Sequence, residues 1–458
     1  MYSRPSLRSG QRALRCLQCS QKRGLAAPAS GSFAYQIGEA AGTKFASRDL
    51  TGPTTTLALV SRAGTRYQFL PGLTEGLRGF AFRNTENRSA LRIVRESELL
   101  GSELSAYHSR ENLVLCAKFI RDDLPYFLEL LAEVAGKTKY QNHVYAEQIL
   151  PILKLSQKNF LANTQQMALS SVHGIAFHRG LGEPLFPSSS TPINKYLDAS
   201  TIAEFASAAY TKPNFAIVAN GADHGQMSKW VGEFFKDIPS APASGVPSIT
   251  TEPSKYYGGE ERIAHAADNT MIIGFPGSSS FTGGSYKPEI SVLATLLGGE
   301  SSIKWSPGFS LLSKATANIS SVGVKTKSAI YSDAGLLYTQ IHGSAVGVAA
   351  AAKKVVETIT AVANGQISKE DITKAKAQAK YKELDFGQNI NNGIELTGNG
   401  LITGNKAYQV DETAKLIDAV DEAKVKAAAK ALLESKASVS AVGDLHVLPF
   451  AEELGLKV

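Results

Sequence analysis

A chain of 458 residues with 43% apolar side chains is too long for one ordinary core, so two or more domains are expected. No uninterrupted apolar run approaches the roughly 20 residues of a spanning helix, so no membrane-crossing helix is predicted. The formal charge of +7 suggests nucleic acid until it is located: Arg4, Arg8, Arg12, Arg15, Lys22 and Arg23 all precede the first acid, Glu39, and subtracting these six leaves +1 for the rest. Nucleic acid is therefore not an expected partner.

The basic leader is rich in Arg and Ser, lacks acids, and carries Leu7, Leu14 and Leu17 among its arginines, the composition of a mitochondrial transit peptide. Arg23-Gly24-Leu25-Ala26 places the expected cut near Leu25 or Ala26, giving a leader of residues 1–25. Cys16 and Cys19 form a C-x-x-C inside that leader, with no partner pair to make a metal or redox site. Cys116 alone remains beyond it, so no intramolecular disulfide is expected in the mature chain.

Thr54 to Ser61 (T-T-T-L-A-L-V-S) predicts a strand, with Ala63-Gly64-Thr65 as the turn after it. Beyond the stretch Leu70 to Thr85, Ala90 to Leu100 predicts a helix closed by Gly101. A hairpin follows, Glu103 to Tyr107 and Leu113 to Phe119, about a polar turn through Ser109, Arg110 and Glu111. Asp122 and Asp123 are placed to cap the next helix and Pro125 fits its first turn. Leu124, Phe127, Leu128, Leu131 and Val134 share one face of it before Gly136 ends it.

The second half repeats these events. Ser321 to Thr326 and Gly335 to Ile341 predict strands flanking Tyr331-Ser332-Asp333, and Val348, Ala352, Val355, Ile359 and Val362 line a helix ending at Asn364-Gly365. N-F-A-I-V-A-N-G-A-D-H in the first half answers A-S-V-S-A-V-G-D-L-H in the second, so Gly221 corresponds to Gly443 at a period of about 220 residues. So long a period means duplicated domains rather than a solenoid. Asp237 to Lys255, with Pro239, Pro242, Pro247 and Pro253, predicts an extended linker between domains at 35–236 and 256–458. Hairpin strands combined with helices in each half argue an α+β fold with mainly antiparallel sheets.

The stretch Leu70 to Thr85 (L-P-G-L-T-E-G-L-R-G-F-A-F-R-N-T) resembles the N-terminal domain of the pitrilysin and mitochondrial processing peptidase family, whose inverted zinc motif H-x-x-E-H opens a helix before a run ending F-K-G-T. Laid over that pattern, the first His falls on Glu75, the Glu on Arg78 and the second His on Gly79. In such sites two imidazoles one helical turn apart hold zinc and the Glu between them deprotonates the bound water. Gly79 offers no donor atom, and Arg78 brings a permanent cation to the place of a base. The third ligand of the family, the last carboxylate of E-R-x-V-I-L-x-E, is matched by E-Q-I-L-P-I-L-K, which ends in Lys154. The expectation is a peptidase fold with no catalytic residue, metal ligand or cofactor.

Ser61 to Tyr67 (S-R-A-G-T-R-Y), Tyr256 to Arg262 (Y-Y-G-G-E-E-R), Tyr331 to Leu336 (Y-S-D-A-G-L) and the C-terminal V-G-D-L-H-V-L-P-F-A-E-E-L together resemble the non-peptidase core subunits of this family in the mitochondrial cytochrome b-c complex, respiratory complex III. That resemblance implies a scaffold on the matrix side of the inner membrane. It would pair with core protein 1, support cytochrome b, cytochrome c1, the Rieske protein and small subunits, and belong to a dimeric complex. Membrane association would come through those partners, which carry the haems and iron-sulfur cluster; no C-x-x-C-H occurs in this chain.

Two other readings stay open. One is an active zinc peptidase, against which the lost ligands argue. His173 and His178, five residues apart, do not share a helical face and predict packing or surface roles. The other is the non-catalytic α subunit of the processing peptidase, whose long glycine-rich loop is matched here by Leu297 to Phe309, poor in glycine. Tyr256-Tyr257-Gly258-Gly259 lacks the spacing of a phosphate loop and predicts a turn into a strand. Ser278-Ser279-Ser280 with Gly283-Gly284 predicts a flexible connection. Lys353-Lys354 and Lys374 to Lys382 predict solvated helix faces able to meet acidic partners.

Overall fold

The computed structural model describes residues 34–49, 51–187, 192–250, 252–299, 308–388 and 390–458. The expected leader with Cys16 and Cys19, and residues 300–307 of the glycine-poor stretch, lie outside the described residues.

The first half builds a sheet from β1 (Gln36–Ala40), β2 (Thr43–Arg48), β3 (Thr54–Ser61), β4 (Glu103–His108), β5 (Leu113–Ile120) and β6 (Phe215–Asn220), in the order β1-β2-β6-β3-β5-β4. Its helices are α1 (Leu73–Phe80), α2 (Ala90–Leu99), α3 (Leu124–Lys137), α4 (Leu150–Ala162), α5 (Thr164–Phe177), α6 (Ala199–Ala209) and α7 (His224–Phe234). The second half has β7 (Gly259–Ala264), β8 (Asn269–Pro276), β9 (Val322–Ile330), β10 (Gly335–Gly343) and β11 (Ser438–Gly443), in the order β7-β11-β8-β10-β9. With it come α8 (Pro288–Leu297), α9 (Leu311–Thr316), α10 (Ala345–Ala363), α11 (Lys369–Gln388), α12 (Ile390–Gly404), α13 (Val410–Asp418) and α14 (Glu422–Glu434).

Set β1 aside and the two sheet orders are the same, element for element. Each has one parallel pair, β2 with β6 and β7 with β11, and is otherwise antiparallel. This is the duplicated α+β architecture that the repeat implied. Gly221 and Gly443 show why those ends match: both have positive φ (86° and 136°), and a Cβ on either would stand 2.5 Å from the Thr54 carbonyl oxygen or 2.4 Å from Asn269 Oδ1. Each lets the last strand turn away against the start of the same neighbouring strand.

Central strands are buried on both faces. In β3, Leu57 and Leu59 enter the main core with Leu73, Leu77 and Phe127, while Ala58 and Val60 face a second layer formed by Ile394, Leu401 and Ile402. That second layer is α12, a helix from the other half of the chain. It sits so close that a Cβ on Gly398 would lie 2.5 Å from Cβ of Val60. The exchange is mutual: Ala168, Val172 and Ala176 of α5 pack on Ile272, Leu336 and Val442 of the second sheet. Neither α5 nor α12 was predicted from the sequence, and an apolar stripe does not reveal which sheet a helix covers.

Two local expectations need correction. Gly136 does not end α3, which runs on to Lys137, and Asp123 at its N-cap makes no capping bond through its side chain. Ser278, Ser279 and Ser280 are buried rather than a loose connection: Ser278 Oγ accepts from the Lys287 amide (2.7 Å) and the Ser280 amide donates to the Tyr331 carbonyl (2.7 Å). Tyr256 to Gly259 does lead straight into β7.

Buried charge closes the seam between halves. Arg66 donates to Glu111 (2.8 Å), to both carboxylate oxygens of Asp333 (2.7 Å each) and to the Glu252 carbonyl (3.0 Å). Glu111 also accepts from the Ser332 amide (2.9 Å) and hydroxyl (2.6 Å) and from Asn399 of α12 (3.2 Å). Thus S-R-A-G-T-R-Y of one half binds Y-S-D-A-G-L of the other. Likewise Arg262 of Y-Y-G-G-E-E-R donates to the carbonyls of Leu445 (2.9 Å), Leu448 (2.8 Å) and Pro449 (3.0 Å), with its guanidinium 3.8 Å over the Phe450 ring. The distinctive segments of the sequence are two docked pairs.

His173 lies in the same seam. Its Nδ1 must donate to the Leu169 carbonyl (2.7 Å), which leaves Nε2 to accept from the Tyr331 hydroxyl (2.8 Å). Burial, reinforced by Arg110, holds its pKa well below the ordinary value and so favours this neutral ring. A histidine depressed in the folded state binds protons more readily when unfolded, so its contribution to stability is lost as pH falls below roughly 6.5. His173→Gln is expected to flatten that acid limb of Tm against pH relative to the native chain; an unchanged slope would assign the limb to other groups.

Candidate functional site: a degenerate metal cleft

Gly72, at φ 94°, starts α1, whose Leu73, Leu77 and Phe80 anchor it in the core. Its opposite face opens on a cleft of about 490 Å³ lined by Glu75, Arg78, Gly79, Phe82, Leu104 and Ile152 among others. The cleft runs beside β4, which among the described residues pairs with β5 alone and so ends the sheet.

Glu75 is buried at 2% exposure, and every direction around its carboxylate is taken. Arg78 grips it with Nε on Oε2 (3.0 Å) and Nη2 on Oε1 (2.5 Å), His108 Nδ1 lies 3.2 Å from Oε2, and Ser156 Oγ lies 3.4 Å from Oε1. Gly79 is wedged on the chain leading into α4: a Cβ here would stand 2.8 Å from Ile149 Cγ2. The structure thus brings Glu75, Arg78 and Gly79 together and leaves Lys154 out, its side chain exposed. The α4 residue that reaches Glu75 is Ser156, two positions further on.

Sequence reasoning missed His108. It closes β4, and the pairing of β4 with β5 sets it beside Glu75, so its only signal was a histidine at a strand end. Nδ1 faces the Glu75 carboxylate and Nε2 the Leu185 carbonyl (3.3 Å), two acceptors that only an imidazolium satisfies together. Burial nevertheless lowers its pKa; Glu75 and the Leu185 carbonyl pull upward and Arg78 adds to the fall.

Zinc does not fit these residues. A metal needs free donors, and here a guanidinium is seated on the one buried carboxylate while serine and glycine stand at neighbouring positions. Among the described residues no group of three or more His, Cys, Asp or Glu could hold a metal ion. Cys116 is buried in the layer with Val60 and Ile394, its thiol pushed up to about 11 by desolvation. Restoring the motif as Glu75→His, Arg78→Glu, Gly79→His is expected to give no zinc affinity tighter than the micromolar range, since Ile149 occupies the second imidazole's place and Ser156 is not a ligand; stoichiometric zinc after dialysis, measured by atomic absorption, would refute this.

The fold defines the class: a chain of two metallopeptidase-type domains, in which Arg78 holds the buried Glu75 carboxylate in an ion pair. Residues 44–188 match the family model of the insulinase peptidases, family M16, and residues 196–379 match the model of the M16 inactive domain. The chain is 50% identical to the cytochrome b-c1 complex subunit 2 of Neurospora crassa over 462 aligned residues, covering 100% of both chains. It is 34% identical to the same-named protein of Schizosaccharomyces pombe, covering 92% of this chain and 95% of that one. The mitochondrial-processing peptidase subunit alpha of Solanum tuberosum is 26% identical, over 89% of this chain and 81% of that one. The chain belongs to peptidase family M16 and, within it, to the cytochrome b-c1 complex subunit 2 family.

Proposed function

We propose that the chain is a non-catalytic structural core subunit of the mitochondrial ubiquinol-cytochrome c oxidoreductase, complex III. The observation that carries this is the occupied carboxylate: Glu75 sits under Arg78 and His108 where a peptidase needs open ligands, in a chain aligned end to end with a named complex subunit. It acts as scaffold, and the redox centres belong to other chains.

The partners in this reading are core protein 1, cytochrome b, cytochrome c1, the Rieske protein and small subunits, with a second copy of the complex. Among the described residues no helix is long and apolar enough to cross a membrane, so attachment to the inner membrane runs through partners, on the matrix side. The leader of residues 1–25 is removed on import, and the halves at 35–236 and 256–458 act as one scaffold across the linker 237–255. The test is affinity purification of the tagged chain from detergent-solubilised mitochondria. Stoichiometric cytochrome b and c1 are expected; recovery in the soluble fraction with chelator-sensitive cleavage of leader peptides would overturn the reading.

A further inference from the structure

A second cavity lies at the seam, where the end of α5 meets the end of the linker. It measures about 430 Å³ and is lined by Tyr67, Phe177, Arg179, Glu252, Lys255 and Tyr257 among others, a volume usual for a small-molecule site. Its walls are pinned. The Ser254 amide donates to Asp333 (2.7 Å) and the Tyr257 amide donates to the Ala176 carbonyl of α5 (2.9 Å). Just past α5, His178 takes a φ of 58°, a left-handed backbone that strains a non-glycine residue, and its ring stacks flat on Tyr257 (4.0 Å, 7°). Lys255 Nζ stands 5.3 Å from the centre of the same Tyr257 ring.

The charges that line this cavity do not neutralise one another. Arg66 is part of the lining, but Glu111 and Asp333 hold its guanidinium. Among the described residues Arg179, Lys255 and Glu252 stand in no ion pair, which leaves two cations against one acid between aromatic rings. Tyr67 adds a buried hydroxyl that has no hydrogen-bond partner among those residues. A buried hydroxyl left unmatched costs stability that a ligand acceptor can restore.

We propose that this cavity binds a single carboxylate carried beside a ring or other apolar group, either the end of a polypeptide chain or a free aromatic acid. Charge selects the ligand. Two cations and one acid leave one positive charge, which one carboxylate balances and which a phosphate dianion exceeds beside Glu252. The planar guanidinium of Arg179 matches two carboxylate oxygens, and Lys255 adds a compact point charge. The rings of Tyr67, Phe177 and Tyr257 offer apolar surface to the group that carries the acid.

The experiment is calorimetric titration of the folded full chain with N-acetylphenylalanine, with its neutral amide, and with benzoate. Saturable one-to-one binding of the acid, weakening with salt, is expected, with none for the amide. Arg179→Gln/Lys255→Gln should weaken it at least roughly tenfold, and Glu252→Gln should tighten it. In the unaltered chain, the acid should shield Lys255 from acylation, read by mass spectrometry, more than it shields Lys369. Tighter binding of N-acetylphenylalanine than of benzoate assigns a chain end; benzoate binding at equal or greater affinity assigns a free acid. Absence of saturable binding, equal binding of acid and amide, or binding and shielding indifferent to Arg179 and Lys255 would overturn the site. Either result leaves the scaffold reading untouched.

Discussion

Replacing Arg66 by alanine is expected to destabilise the chain by ~3–5 kcal/mol, the usual cost of stripping one partner from a buried charge network. The guanidinium is 3% exposed and holds two carboxylates, Glu111 at 5% and Asp333 at 29%. Its removal leaves the buried Glu111 with the neutral donors Ser332 and Asn399 in place of a cation. Arg66→Lys should recover only part of the loss, because an ammonium cannot fork across two oxygens of Asp333 while reaching Glu111 and the Glu252 carbonyl. Urea unfolding of the three proteins measures both steps. A loss below about 1 kcal/mol for the alanine variant would show that the network is as weak as an exposed ion pair.

Much of this architecture is legible from side chains alone, and the limits are physical. Strand β3 could be read because an unbroken T-T-T-L-A-L-V-S run has no polar face to give to solvent. The duplication could be read because Gly221 and Gly443 meet the same steric demand in each half. The neighbourhood of Glu75, Arg78 and Gly79 could be singled out because the three share one short helix, where spacing alone brings side chains together. His108 and Ser156 could not, since they arrive at Glu75 through sheet pairing and helix packing rather than through any local pattern. Lys154 shows the converse: an alignment without geometry selected an exposed neighbour. Buried Ser278 to Ser280 were misjudged because small polar residues serve a loose loop and a hydrogen-bonded turn equally well.

Residues 34–255 expressed alone are expected not to reach a native state, and the exchanged helix is the reason. Without α12 the outer face of the first sheet exposes Ala58, Val60, Val114 and Val218, which are now at most 1% accessible. Ile394, Leu401 and Ile402 bury their side chains there, and at ~1.5–3 kcal/mol each their loss removes roughly 4.5–9 kcal/mol, a large share of the whole stability of a typical domain. The complementary half loses α5 from its own sheet in the same way. Co-expression of both pieces should restore soluble, protease-resistant protein, because the helices can then be exchanged between chains. A point change makes the same case within the intact chain: Gly398→Val drives a branched side chain into Val60 and should lower stability by several kcal/mol, whereas Gly101→Ala, in open space, costs only the strain of its φ of 63°. A 34–255 fragment that melts cooperatively with native near-UV dichroism would mean that the halves are independent bodies in contact; failure of the fragment alone with rescue by its partner makes the seam part of each half's core, and a scaffold so interlocked cannot hinge open without unfolding.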